Sequence, residues 1–127
     1  MEGINLSVTF EPEQLRAYSR NENEMKLKFE NSGTGTYWCE CEVAVESPLS
    51  LAHDKEMNAA RTRVGILKPG STLEKRIKLY TRPNNFPDDY KVKVTSFLYD
   101  GEGVIAERSE SETLVKCEEV QDAAARA

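Results

Sequence analysis

Residues 86 to 115 read FPDDYKVKVTSFLYDGEGVIAERSESETLV and predict a long β-hairpin. From 90 to 99, side chains alternate with a period of two, which is the pattern of a β-strand with two different faces. Residues 100–103, DGEG, then predict a tight turn, in which Gly101 accepts the positive φ that two-residue hairpin loops require. We expect the second strand to return along the first, from 104 onward.

This turn predicts the register of the hairpin. If Gly101 and Glu102 form a two-residue loop, Lys91 lies opposite Glu112, and Lys93 lies opposite Glu110. Directly opposed pairs of opposite charge are favourable on a sheet face. The charges therefore agree with the register that the turn predicts.

Composition narrows the class of protein. The 127 residues suit one domain; 39% are hydrophobic and 31% charged, which is typical of a soluble globular fold. No stretch of about 18 apolar residues is present, so we expect no membrane span. The net charge of -5 disfavours nonspecific nucleic-acid binding. No basic and apolar leader opens the sequence, and the three cysteines are an odd number, so we expect a cytoplasmic protein with reduced thiols.

The same alternation marks five earlier strands, so seven strands, A to G, are predicted. They are A (4–10), B (25–29), C (37–45), D (62–67) and E (73–79), followed by F and G of the hairpin. We expect an all-β, immunoglobulin-like Greek-key β-sandwich over residues 1–117, with A, B, E and D in one sheet and C, F and G in the other. Residues 118–127 are expected to form a flexible tail. Lys75 interrupts strand E, which predicts either a bulge or a lysine near an open edge.

Several short motifs resemble the CARDB-type family of prokaryotic immunoglobulin-like modules. They are FENSG (29–33), VGILKPGS (64–71), YKVKV (90–94) and AERSE (106–110). The resemblance spans nearly the whole chain and implies the same sandwich fold. Tyr90 precedes Val92 by two residues, as in the tyrosine corner of such domains.

Few residues suit catalysis. His53 is the only histidine, so a histidine-dependent triad or a multi-histidine metal site has no second imidazole. Cys39, Cys41 and Cys117 form the one group of thiols that could bind a soft metal or take part in a redox reaction. Cys39 and Cys41 share a strand face with valines, which favours burial instead. We expect no enzyme, no cofactor and no small-molecule substrate.

The outer face of the C-F-G sheet is the candidate binding surface. A C–F register that sets Lys91 beside Glu42 and Lys93 beside Glu40 brings five apolar or aromatic side chains together: Trp38, Phe97, Tyr99, Val104 and Ala106. Large aromatic side chains of this kind are favoured interface anchors. Two alternatives are that residues 47–60 cover the patch, or that a bulge turns Trp38 into the core.

A second surface is predicted on the outer face of the A-B-E-D sheet. Parity places five cations there: Lys26, Lys28, Arg63, Arg76 and Lys78. A solvated face is the favoured explanation, because charge runs usually serve solubility, and an acidic partner is the alternative. The function expected from the sequence is a noncatalytic protein-binding or self-association module, with a thiol-based metal or redox protein as the alternative.

Overall fold

The computed structural model describes residues 3–119, which form nine β-strands and no helix. The strands are β1 (Ile4–Glu11), β2 (Gln14–Arg16), β3 (Asn21–Asn31), β4 (Tyr37–Val45), β5 (Leu49–Ser50), β6 (Ala59–Leu67), β7 (Thr72–Thr81), β8 (Asp88–Tyr99) and β9 (Ile105–Glu118). No helix in this described part could cross a membrane. The predicted tail lies outside the described residues from 120 onward, and Glu118 belongs to β9.

The strands form two sheets. One has the order β1-β3-β7-β5, and the other has the order β2-β9-β8-β4-β6. The all-β, two-sheet prediction is confirmed, but the predicted number of seven strands is wrong. The two additional strands, β2 and β5, are only three and two residues long, so they are too short to show a periodic pattern.

Strand D was predicted in the wrong sheet. Residues 62–67 belong to β6, which pairs with β4, whereas the prediction placed them beside A, B and E. β4 is paired with β8 on one side, and β6 satisfies the hydrogen-bonding groups along its other edge. Arg63 moves to the five-stranded sheet with this strand.

The hairpin forms, but its register differs from the prediction by two residues. Lys93 lies opposite Glu112, and Lys91 lies opposite Leu114. The reason is a longer loop: residues 100–104 separate the paired residues Tyr99 and Ile105. Lys93 Nζ still approaches Glu110 Oε2, at 3.4 Å, as a diagonal pair.

The strand order around β8 is confirmed, since β8 lies between β4 and β9. Its register with β4 is not the predicted one: Glu40 faces Phe97, and Glu42 faces Thr95. The predicted and the observed register differ by four residues. A shift by an even number leaves every side chain on its original face, so alternation alone cannot distinguish the two registers.

Inward side chains of both sheets form one core. Its largest fully buried apolar members include Met25, Leu27, Phe29, Leu79, Val43, Val92, Val94 and Val115. Lys75 points to the same side, opposite Leu27, in a β3–β7 ladder without a register shift. β5 pairs with β7 only at Tyr80 and Thr81, so Lys75 lies beside an otherwise open edge, as the second of its two predicted explanations requires.

Tyr90 packs in this core and contacts the chain preceding β8. Its hydroxyl donates a hydrogen bond to the carbonyl oxygen of Phe86 and accepts one from the Phe86 N–H at 3.2 Å. The two rings also meet edge to face, with centroids 6.3 Å apart. This backbone contact is the one that a tyrosine corner makes.

Candidate binding surface and loop-end cleft

An apolar row crosses four strands on the outer face of the five-stranded sheet. It consists of Ile66 of β6, Trp38 of β4, Tyr99 of β8 and Ile105 of β9, each directly opposite the next. We call these four residues the apolar row. Ile66 and Ile105 are 52% exposed, and Trp38 and Tyr99 are half-buried between them.

The predicted neighbours of the aromatic residues are corrected by the register. Tyr99 faces Ile105 rather than Val104, and Phe97 faces Arg108 rather than Ala106. Ala106 is the extra residue of a β-bulge, because adjacent residues of β8 pair with 107 and 105. Val104 lies in the hairpin loop, next to Ile105 in the sequence, and is 58% exposed.

Trp38 lies on the outer face, so the alternative that its ring enters the core is wrong. The bulge near it belongs to β6: Cys39 pairs with Gly65 and Glu40 with Arg63, which leaves Val64 as the extra residue. Because the additional residue is on β6, the alternation of β4 is undisturbed.

The carboxylate of Glu40 is the hydrogen-bond acceptor next to the apolar row. Its Oε2 accepts a hydrogen bond from Trp38 Nε1 at 2.9 Å, and its Oε1 accepts one from Arg61 Nε at 3.1 Å. The indole hydrogen bond, followed by the contact with Arg61, lowers the pKa of Glu40 from its usual value. Arg61 also donates to the hydroxyl of Tyr99. Trp38 and Tyr99 are therefore fixed from the same side by one ion pair.

Phe97 is not part of the accessible surface. Its side chain is 9% exposed because the Arg61 guanidinium lies over the ring, 4.0 Å from the centroid. Arg108 approaches the same ring at 5.9 Å. The predicted patch thus loses Phe97 and Ala106 and gains two isoleucines, while Trp38, Tyr99 and Val104 remain.

The connection between β4 and β6 does not cover the row. Leu49 is buried in the core, and β5 pairs with β7 of the other sheet. β6 then begins at Ala59, which lies opposite Ala44, at the end of β4 farthest from Trp38. The alternative in which residues 47–60 shield the patch is therefore wrong.

The predicted basic face is not a concentrated positive surface. Lys26, Lys28, Arg76 and Lys78 lie on the four-stranded sheet, but Arg63 does not. Each of the four cations approaches a glutamate: Arg76 with Glu24 at 3.1 Å, Lys78 with Glu22 at 2.9 Å, Lys28 with Glu30 at 3.4 Å and Lys26 with Glu74 at 3.8 Å. The face carries alternating charges, which favours the solvated interpretation.

The three thiols do not form one group. Cys39 and Cys41 are buried next to each other on β4, whereas Cys117 faces Asp88 at the far end of β8. Cys39 faces Leu98, ten residues along that strand, which is roughly 30 Å. Burial raises the pKa of Cys39 to about 12 and that of Cys41 to about 11. Within residues 3–119, no group of three or more metal-ligating side chains is close enough to hold an ion.

A cleft that the sequence did not predict lies at the opposite end of the sandwich from the apolar row. We call it the loop-end cleft. It encloses about 500 Å³ and is lined by residues of four connections and strand ends, among them Arg20, Pro48, His53, Tyr80 and Arg82. The rings of His53 and Tyr80 are 5.8 Å apart. Sequence analysis missed this site because its side chains are far apart in the chain and follow no common motif.

Comparison with known proteins identifies the fold only. No protein-family model and no curated protein matches the sequence. AvmM, which catalyzes macrocyclization in alchivemycin A biosynthesis, is 9% identical, with a TM-score of 0.58 over 97% of this chain and 93% of that one. The putative ApaA protein of Bordetella pertussis is 16% identical, with a TM-score of 0.52 over 92% and 94%. A FixG-related protein of Vibrio parahaemolyticus is also 16% identical, with a TM-score of 0.50 over 93% and 99%.

Proposed function

We propose that this chain is a noncatalytic binding module that docks a protein partner or a second copy of itself on the apolar row. The observation that carries this proposal is the apolar row itself: Ile66 and Ile105, each more than half exposed, flank Trp38 and Tyr99 across four neighbouring strands. Exposed apolar residues of a monomer are normally scattered singly. A contiguous apolar row that contains a tryptophan and a tyrosine is typical of an interface centre.

The polar surroundings of the row support the same function. Glu40 and Arg61 hold the indole and the phenol of the row in place before any partner arrives. Side chains that are already ordered lose less conformational entropy when they bind. The charged residues along one side of the row correspond to the polar rim of a protein interface.

An immunoglobulin-like Greek-key topology belongs to this proposal. The position of β8 between β4 and β9 and the contact of Tyr90 with Phe86 both support it, and the resemblance to CARDB-type modules remains a prediction. The three unpaired, reduced cysteines support a cytoplasmic location.

The thiol-based alternative has less support. A metal or redox site needs accessible thiolates, whereas burial of Cys39 and Cys41 favours their protonated forms. Cys117 is too distant to join them. We therefore rank this alternative below the binding surface.

The test compares two isoleucine-sized positions on the same face of β9. Ile105→Lys places a charge in the apolar row, and Leu114→Lys places the same charge at a site that is 54% exposed at the other end of the strand. If two copies associate, sedimentation velocity will show that Ile105→Lys requires at least about tenfold more protein to dimerise, as expected for loss of an interface anchor. Leu114→Lys will behave as the wild type.

A protein partner gives a different result in the same experiment. The wild type then stays monomeric, and the captured partner from a native extract is lost with Ile105→Lys but kept with Leu114→Lys. Emission of Trp38, the only tryptophan, shifts to the blue when the row is covered. Unchanged emission together with equal capture by both variants would overturn the proposed surface.

A further inference from the structure

The loop-end cleft contains two arginines whose guanidinium groups have no hydrogen-bond or ion-pair partner within the described residues. Arg20 follows β2, and Arg82 follows β7, and both line the cleft. Neither forms an ion pair with any side chain of residues 3–119, whereas most cations of the neighbouring sheet face do. Two uncommitted guanidinium groups in one cleft attract an oxyanion, which the planar fork of arginine binds through two hydrogen bonds.

An amide network joins the two backbone segments that carry these arginines. Thr81 Oγ1 accepts hydrogen bonds from Asn21 Nδ2 at 2.7 Å and from Asn85 Nδ2 at 2.8 Å. Asn21 is the residue after Arg20, and Thr81 is the residue before Arg82. The backbone that carries each arginine is therefore tied to one hydroxyl group. A site that is built before the ligand arrives binds it with a smaller loss of entropy.

A second wall of the cleft, which includes Ala52, His53 and Glu56, is also held in place. The Ser50 hydroxyl lies 2.9 Å from the Ala52 carbonyl oxygen and 2.8 Å from that of Lys55, and it accepts the Met57 N–H at 3.0 Å. These contacts shape the loop that presents His53 beside Tyr80. The wall thus offers ring surfaces and an imidazole to a ligand held by the arginines.

The carboxylates of the cleft leave room for an anion. Glu22 is neutralised by Lys78 at 2.9 Å. Glu56 is the other glutamate in the lining, and it can accept a hydrogen bond from a hydroxyl or amine of a ligand. The volume of about 500 Å³ falls within the range of small-molecule sites.

We infer that the loop-end cleft binds a small organic molecule whose phosphate or carboxylate group lies between Arg20 and Arg82, with a ring against His53 and Tyr80. This site is separate from the apolar row and does not depend on the function proposed for that surface.

The test is an NMR titration of the full chain with phenyl phosphate, benzoate and inorganic phosphate. We expect saturable shifts of amides near Arg20, His53 and Arg82 with phenyl phosphate, benzoate or both, and the stronger of the two identifies the oxyanion. Arg20→Met and Arg82→Met will each weaken binding about tenfold or more, because each removes charge-assisted hydrogen bonds. Lys68→Met, which removes an exposed charge in the turn between β6 and β7, will bind as the wild type.

Three results would overturn the inference. One is the absence of saturable shifts at the cleft with either organic probe. Another is equal weakening by Lys68→Met, which would indicate attraction by overall charge. The third is binding of inorganic phosphate only, which would indicate an adventitious ion only. Wild-type amide shifts outside the cleft establish that the arginine variants are folded.

Discussion

At the scale of single residues, Asn85 is a buried polar side chain that holds the loop end of the sandwich together. Its side chain is 1% exposed, and its Nδ2 donates to Ser19 O at 2.9 Å and to Thr81 Oγ1 at 2.8 Å. The backbone N–H of Tyr18, which has a positive φ of 61°, donates to the carbonyl oxygen of Asn85 at 3.1 Å. One asparagine therefore connects two loops that are distant in sequence.

We expect Asn85→Ala to lower the free energy of unfolding by about 2–4 kcal/mol, because it removes the hydrogen bonds that this buried amide donates to Ser19 O and Thr81 Oγ1. Urea denaturation monitored by circular dichroism measures this change. Asn84→Ala is the matched control, since Asn84 is exposed, and we expect a change below about 0.5 kcal/mol. Equal stability of the two variants would show that the amide network contributes little.

At the scale of elements, the turn between β8 and β9 decides which residues join the apolar row. The Asp100 carboxylate accepts hydrogen bonds from the N–H groups of Glu102 at 2.8 Å and Val104 at 3.1 Å. Gly103, and not Gly101 as predicted, has the positive φ, 80°, a left-handed conformation that glycine adopts without strain. These features produce a loop of residues 100–104 and bring Ile105 opposite Tyr99.

We expect Asp100→Ala to lower the free energy of unfolding by about 0.5–1.5 kcal/mol, since two exposed hydrogen bonds are lost. Hydrogen exchange of the amides of Glu102 and Val104 will become faster. Glu102→Ala is the control, because no hydrogen bond of its carboxylate to a described residue is present. If exchange at Val104 is unchanged in Asp100→Ala, the carboxylate does not organise this turn.

At the scale of the whole molecule, the core between the two sheets controls thiol chemistry. Cys39 and Cys41 are fully buried, and burial is the main cause of the rise in the pKa of each. Cys117 is also buried, and its pKa is raised for the same first reason. Reaction of these thiols therefore requires opening of the sandwich.

We expect a disulfide reagent at pH 8 to label Cys39 and Cys41 slowly in the native protein and rapidly in denaturant. Fast labelling of the native protein would contradict burial of these thiols.

The raised pKa values also make stability depend on pH. An unfolded thiol ionises near pH 9, while the folded thiols stay protonated up to about pH 11, so stability falls as pH rises between these values. Denaturation at pH 8 and pH 10 measures the loss.

The sequence by itself determined which residues form the long strands and which side of each strand faces the core. Alternation is a local property, so it correctly placed Cys39 and Cys41 inward and Trp38 outward. The predicted order of the three strands around β8 is also confirmed, although the charge pairs that suggested it do not form, because Lys93 faces Ala44 and Glu40 faces Phe97.

Only the tertiary structure decided the registers, the sheet to which β6 belongs and the residues that meet at each surface. A register shifted by two or four residues leaves every side chain on the same face, so the pattern is equally satisfied by several pairings. The actual pairing depends on hydrogen bonds between distant segments and on the loop of residues 100–104. The loop-end cleft has the same origin: Arg20 and Arg82 are neighbours because Thr81, Asn21 and Asn85 bond across the fold.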